Sequence, residues 1–334
     1  MQYGWKWTKL SIAALCLPVA MLMVAAPAQA QETIKIGYLM QVHDAANLAI
    51  EKELGAKYKL EYVKFLRYSD AEVALARGDI KLTSLGYVSA IGAALRETEP
   101  SYQLVSGMSR GAINTVCRPD VKISDWADLK GKKFGVLTGG PAELFFDDAL
   151  RVHGIKRNDI PTVSFTAPGP PLLQALKNKD IECMAVYEPF AANAVAGGFG
   201  YYPPKIDLAD NSFLGINGVI AVNSKFLKAN PGFVKEAIRV ATKATGYYLQ
   251  NKDKLTTDFP NRLEVKPEVI KIGADHIVLD NNLYMKRAFA MAESMKTLGF
   301  IRQIPEKAKL EAYFNYQFLM EATGKTADEL GRNK

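Results

Sequence analysis

Cysteine and histidine are scarce in this 334-residue chain, with three of each. Cys16 falls in an apolar N-terminal run, which leaves Cys117 and Cys183. Two cysteines define neither a disulfide framework nor a zinc site. His43, His153 and His276 lie far apart with no ligand spacing, which argues against a metal centre. Beyond residue 30 no stretch approaches the ~20 apolar residues of a membrane-spanning helix. No dense basic run occurs either, so a nucleic-acid partner has little support. The scattered positive surplus reads as a solvated surface with a weak preference for anions. Neither a His-Glu-x-x-His motif nor a phosphate-loop lysine motif is present, and Gly197-Gly198-Phe199-Gly200 is no dinucleotide fingerprint. No long flexible linker and no low-complexity segment breaks the chain. These lacks point away from a metalloenzyme, a nucleotide enzyme and a membrane-spanning protein, and no cofactor is implied.

The first thirty residues have the grammar of a secretory signal. Lys6 and Lys9 precede an apolar run from Leu10 to Val24, and Ala28-Gln29-Ala30 supplies a small-x-small cleavage pattern. The expectation is a cut after Ala30, export to the periplasm, and a soluble product. About 300 residues then remain, a prior of two domains. The net charge of +7 falls to +5 with the two lysines. Export to an oxidising space permits a disulfide.

The mature chain alternates short β-branched runs with helical runs. Strands are expected at 33–39, 59–65, 80–83, 104–107, 112–117, 133–137, 162–165, 181–187 and 218–223. Between them lie helices, one opened by a Ser69-x-x-Glu72 capping box and closed by Gly78, another begun by Pro141. The rhythm implies α/β architecture, a parallel sheet with helices on both faces. After about residue 224 the pattern is mostly helical: 231–250, 267–277, 281–298 and 306–322. Asn230-Pro231 supplies a cap and a first-turn proline.

Five stretches together resemble one family, the sulfonate, nitrate and taurine type of ABC-importer binding proteins, which includes receptors for a thiamine pyrimidine precursor. They are Ile34-Lys35-Ile36-Gly37-Tyr38; Ala74 to Ile80 with Leu85-Gly86-Tyr87; Asp128 to Val136; Gln174-Ala175-Leu176 through Asp180-Ile181-Glu182-Cys183 to Tyr187-Glu188-Pro189-Phe190; and Ala229 to Val234. The resemblance covers most of 33–250. It departs from the family at Tyr187, often Trp there, and after Thr138, where Gly-Gly-Pro replaces a common Ser or His. It therefore implies a fold more than a ligand. That fold is the type II periplasmic binding protein: two α/β lobes joined by two crossing strands, with the ligand cleft between them. Lobe I would hold 31–110 plus 218–334, and lobe II 111–217. The resemblance also sets the crossing strand 112–117 antiparallel beside 181–187, which would make Cys117 and Cys183 cross-strand neighbours able to form a disulfide.

Open sheets bind ligands beyond the carboxyl ends of parallel strands. The rule selects the loops 40–44, 84–87, 138–141 and 187–189. Their candidate ligand contacts are Tyr38, Gln41, His43, Asp44, Ser84, Gly86, Tyr87, Thr138, Gly139, Gly140, Tyr187 and Glu188. Three of the loops run into helices, whose free N–H groups favour an acceptor-rich group. Asp44 either fixes a polar ligand edge or caps the helix from Ala45. The tyrosines offer apolar faces with polar tips, or ordinary packing. Glu188 would accept from a ligand N–H, or sit as a carboxylate at a helix start. The glycines after Thr138 allow close backbone approach, unless they form a plain turn. A ligand with an acceptor end and an aromatic or heteroaromatic body suits this set, as does an organic anion. The expected protein is a monomeric, non-enzymatic receptor that hands a small organic solute to an ABC permease and its ATPase. The alternatives are a pyrimidine-precursor synthase-like enzyme and a receptor for a membrane sensor.

Overall fold

A computed structural model describes residues 1–2 and 32–334, so the expected signal segment lies outside the described residues apart from Met1 and Gln2. The chain first builds three strand–helix units: β1 (Ile34–Leu39) and α1 (Ala45–Leu54), β2 (Leu60–Phe65) and α2 (Tyr68–Arg77), β3 (Leu82–Gly86) and α3 (Tyr87–Arg96). A long strand, β4 (Tyr102–Gly111), leads to β5 (Ile113–Cys117). A second set follows: β6 (Phe134–Leu137), α4 (Pro141–Val152), β7 (Thr162–Phe165), α5 (Pro170–Lys177), β8 (Cys183–Tyr187) and α6 (Phe190–Ala196). The chain returns through β9 (Ile216–Asn223) into α7 (Ser224–Ala229), α8 (Pro231–Gln250), α9 (Leu255–Asp258), α10 (Pro260–Leu263) and α11 (Pro267–Ala274). β10 (Ile277–Leu279), α12 (Met285–Thr297), α13 (Lys307–Glu311) and α14 (Gln317–Thr323) complete it.

The strands form two sheets, ordered β10-β4-β9-β3-β1-β2 and β5-β8-β6-β7. These are the cores of two α/β lobes. β1 is parallel to β2 and β3, and β6 to β7 and β8. The antiparallel pairing expected of the crossing strand is present, β5 against β8, and the parallel sheet read from the rhythm is further corrected in the larger sheet, where β9 runs antiparallel to β3 and β4 and β10 to β4. The physical reason is the crossing. A chain that leaves one sheet and comes back enters it pointing the other way. Every residue of β9 is buried, as a central strand with covered faces requires.

The outward crossing turns at Gly111 and Ala112, both left-handed with φ 66°. The two crossings are tied together. The Gly111 N–H donates to the Gly215 carbonyl at 2.7 Å, and the Asn217 amide donates to the Gly111 carbonyl at 2.9 Å. Gly107 in β4 has a different role. A Cβ there would lie 2.0 Å from the Asn282 carbonyl oxygen, so only glycine lets the 280–282 segment lie against the strand. A second link joins the lobes. Asp148 of α4, fully buried, accepts from the Ser294 hydroxyl of α12 at 2.6 Å, from the Ser212 N–H at 2.7 Å and from Arg151 at 2.9 Å.

Three local expectations change, the first being the helix over 306–322, which divides into α13 and α14 where Phe314 bridges to Leu104 of β4. Ser69 caps nothing: α2 begins at Tyr68, after an extended Arg67 with no side-chain cap, and Glu72 accepts instead from Arg96 at 2.8 Å. The 267–277 run ends as helix at Ala274 and yields the edge strand β10. Cys117 and Cys183 face each other in the β5–β8 register, and the structure joins them by a disulfide. Among the described residues no helix is long and apolar enough to cross a membrane.

Candidate functional site

A cavity of about 440 Å³ has walls from both sheets. Leu39 ends β1 and Gln41 follows it; Leu66, Arg67, Tyr68 and Ser69 follow β2; Val88 and Ser89 follow β3. Across from them, Leu137 to Ala142 follow β6, Thr166 and Pro168 follow β7, and Tyr187 ends β8. All six are carboxyl ends of parallel strands, where open α/β sheets leave a crevice. Met295 and Phe300, at the end of α12, close one side. Leu39, Leu66, Val88, Leu137, Leu144 and Met295 make most of the wall apolar.

The polar groups are few and placed. α2, α3 and α4 all begin on the cavity, and none has a side-chain cap on its first turn. Their positive ends therefore favour an acceptor or anion. The Gly139 N–H is already bonded to the Glu143 carboxylate at 2.8 Å. Arg67 brings a half-exposed guanidinium paired with Asp70 at 2.8 Å. Glu72 is pushed up by burial, which outweighs the opposing Arg96. Just behind the wall, Tyr68 Oη lies 3.0 Å from Gln41 Oε1 and 3.0 Å from His43 Nε2. Burial pushes His43 down to about 3, so its imidazole is neutral.

Of the residues singled out in the sequence, Gln41, Thr138, Gly139, Gly140 and Tyr187 line this cavity. Gly139 has φ 78°, a turn conformation that suits glycine. His43 stands one step back, behind Tyr68. The others are engaged elsewhere. Tyr38 projects from the opposite face of β1 to Leu39, beside Tyr62 at 6.0 Å and next to the Arg262 guanidinium. Asp44 is not a helix cap. A 3-10 turn over Val42–Asp44 makes its own backbone helical, and its carboxylate turns back to take the Leu39 N–H at 2.6 Å and the Ser84 hydroxyl. Ser84 is thereby used internally. Gly86 abuts the start of α4, where a Cβ would lie 3.3 Å from Pro141. Tyr87 accepts from the Tyr284 N–H at 2.9 Å, away from the cavity. Glu188 is fully buried and takes Tyr202 at 2.7 Å, Asn114 at 2.8 Å and the Ala192 N–H at 3.0 Å. Burial pushes both Asp44 and Glu188 up to about 7, against these donors.

Sequence reasoning missed Arg67, Tyr68, Ser69 and Ser89. The strand-end rule, applied to β2, would have found the first three. Met295 and Phe300 carry no local signal. The run Gly107-Met108-Ser109-Arg110-Gly111 does have the Gly-x-Ser-x-Gly spacing of hydrolase elbows. It lies within β4 rather than at a strand-to-helix turn, and Ser109 is buried off the cavity. Among the described residues no group of three or more His, Cys, Asp and Glu could hold a metal ion.

A family model described as NMT1/THI5 like matches residues 58–254. Solved structures of similar fold include the ligand-binding component of an ABC-type import system from Staphylococcus aureus with zinc bound. It has TM-score 0.74 and 18% identity, over 88% of this chain and 100% of that one. The periplasmic nitrate-binding protein NrtA from Synechocystis PCC 6803 gives 0.71 and 14%, over 91% and 92%. The periplasmic aliphatic sulphonate-binding protein SsuA from Escherichia coli gives 0.67 and 18%, over 84% and 96%. At these identities the likeness is one of fold. No curated protein matches the sequence.

Proposed function

Because the chain belongs to the NMT1/THI5-like family, we propose that it is the periplasmic solute-binding component of an ABC-type importer, capturing a small organic molecule without altering it. The observation that carries this reading is the cavity. Its walls are the carboxyl ends of parallel strands from two sheets, tied by two crossings at Gly111 and Gly215. Such an arrangement suits a cleft that closes by rotation at the crossings. Lobe I then comprises 31–110 with 218–334 and lobe II 111–217. The leader ends at Ala30, and the loaded form is presented to a membrane permease and its ATPase. The import-system membership of the similar structures supports the same role. Capture without chemistry is supported by His43: its Nε2 is engaged with Tyr68, and its ring is a poor base.

Native mass spectrometry of freshly purified protein, followed by thermal shift with the molecule found, tests this. A solute at a hundred times its Kd should stabilise the fold by about 2.7 kcal/mol, and it should be recovered unchanged. Recovery of a converted product would make the protein an enzyme.

A further inference from the structure

Gln41 lines the cavity, yet it is only 3 % exposed. Its amide oxygen lies 3.0 Å from Tyr68 Oη, and the same oxygen of Tyr68 lies 3.0 Å from His43 Nε2. A phenol has a single proton to give, so Tyr68 donates to one of these neighbours and accepts from the other. The direction of the row is set at His43. With the His43 proton on Nε2, that N–H donates to Tyr68, Tyr68 donates to Gln41 Oε1, and the Gln41 NH2 is left for the cavity. With the proton on Nδ1, Tyr68 donates to His43. Gln41 must then turn its NH2 toward Tyr68 and show its carbonyl to the cavity. One proton position therefore decides whether the wall offers a donor or an acceptor.

His43 Nδ1 is buried and has no hydrogen-bond partner among the described residues. A proton there would be an orphaned buried N–H, which folded proteins rarely tolerate, whereas an unsatisfied acceptor is the commoner exception. Burial also keeps the ring neutral, so only one nitrogen carries a proton. We propose that His43 is the Nε2–H tautomer and that, through Tyr68, it holds Gln41 with its NH2 facing the cavity, so that Gln41 reads a hydrogen-bond acceptor on the solute. This deepens the receptor reading above and rests on it. His43 and Tyr68 are positioning residues.

Neighbouring groups ask for the same chemistry. Tyr187, at the end of β8, adds a hydroxyl that can donate. Ser69 adds a hydroxyl, and Arg67 a cation. Ser89, Thr138 and Thr166 add further hydroxyl-bearing side chains, and Glu72, the one carboxyl in the wall, is already engaged by Arg96 at 2.8 Å; most of the remaining wall is apolar. The solute that fits has an apolar body and an acceptor head such as a carboxylate, and a donor-only head such as an ammonium is disfavoured.

Long-range proton–nitrogen correlation on histidine-labelled whole protein reads the tautomer directly. The His43 signals are assigned by their loss in His43→Gln. The expected pattern is Nε2–H, and an Nδ1–H pattern overturns the proposal whatever the solute is. Calorimetry with benzoate and with benzylammonium then reads the head group. Wild type should take benzoate in preference, Gln41→Met should weaken benzoate at least tenfold, and Tyr68→Phe should shrink the preference between the two probes. Equal benzoate affinity in wild type and Gln41→Met overturns the role of Gln41. No benzoate binding, or preference for benzylammonium, overturns the acceptor-head class. In either case a co-purified solute of other chemistry would leave the receptor reading standing, while a converted product would remove that reading instead.

Discussion

Replacing Asp44 by asparagine should flatten the pH dependence of stability by a definite amount. Asp44 is fully buried, and its partners are the Leu39 N–H, the Ser84 hydroxyl and the Asn47 amide, all neutral donors. Burial pushes its carboxyl up to about 7. In the unfolded chain the value is ~3.9. Between these values the folded protein holds a proton that the unfolded chain has lost. The contribution of Asp44 is therefore fully present below about pH 4 and declines as pH rises toward 7. Over the span from pH 5 to pH 7 the decline is roughly 2 kcal/mol. An asparagine can keep its oxygen on the Leu39 N–H and donate its NH2 to Ser84, but it does not titrate. Urea midpoints at pH 5, 6, 7 and 8 measure the effect. Relative to wild type, Asp44→Asn should gain about 2 kcal/mol between pH 5 and 7. Glu188, pushed up to about 7, and Asp147, pushed up to about 6, act with the same sign. His43, pushed down to about 3, acts with the opposite sign, losing stability as pH falls below ~6.5. These three are common to both proteins, so the difference between the curves isolates Asp44. Parallel curves would refute the account of a carboxyl kept protonated by burial.

Asp148→Ala should cost about 2–3 kcal/mol in denaturant unfolding, because it strands the buried Ser294 hydroxyl and removes the acceptor shared by the exposed Ser212. Ser294→Ala, which removes one donor, should cost about 1 kcal/mol, and a loss this small for Asp148→Ala would show that the link between α4 and α12 contributes little. Reducing the bond between Cys117 and Cys183, 66 residues apart, should cost about 4 kcal/mol on the chain-entropy account. Two alkylated cysteines in periplasm-purified protein under non-reducing conditions would show instead that the bond does not form.

The alternation of strand and helix is legible in the sequence because each unit carries its own punctuation. The run 162–165 and the helix 231–250 have the bounds read from their flanking turns and prolines. The glycine loop after Thr138 is legible for the same reason, a strand end followed by residues that fit only a turn. What escapes is whatever depends on partners distant in the chain. Tyr187 and Glu188 are neighbours at one strand end, yet the first lines the cavity and the second turns to Asn114 and Tyr202. The sequence marks the end of that strand but not which residue faces the gap. Asp44 has the appearance of a cap until a short 3-10 turn alters its own backbone. Met295 and Phe300 reach the cavity because α12 packs on α3, distant in the chain, with its Ser294 bonded to Asp148 of α4.

The strand order also dictates a sequence of assembly. β9 lies between β3 and β4, hydrogen-bonded to both, but it is made only after the whole of β5 to β8. A chain emerging from its N-terminus therefore holds β1 to β3 as one group and β4 as a lone strand, with the edges of β3 and β4 that β9 joins unpaired. Meanwhile the smaller sheet has all four of its strands by residue 187. The part that begins the protein closes last, and the inserted part can be complete before it. Until residues 216–223 arrive, those two open edges are where a second chain, or a chaperone, would find strands to pair with.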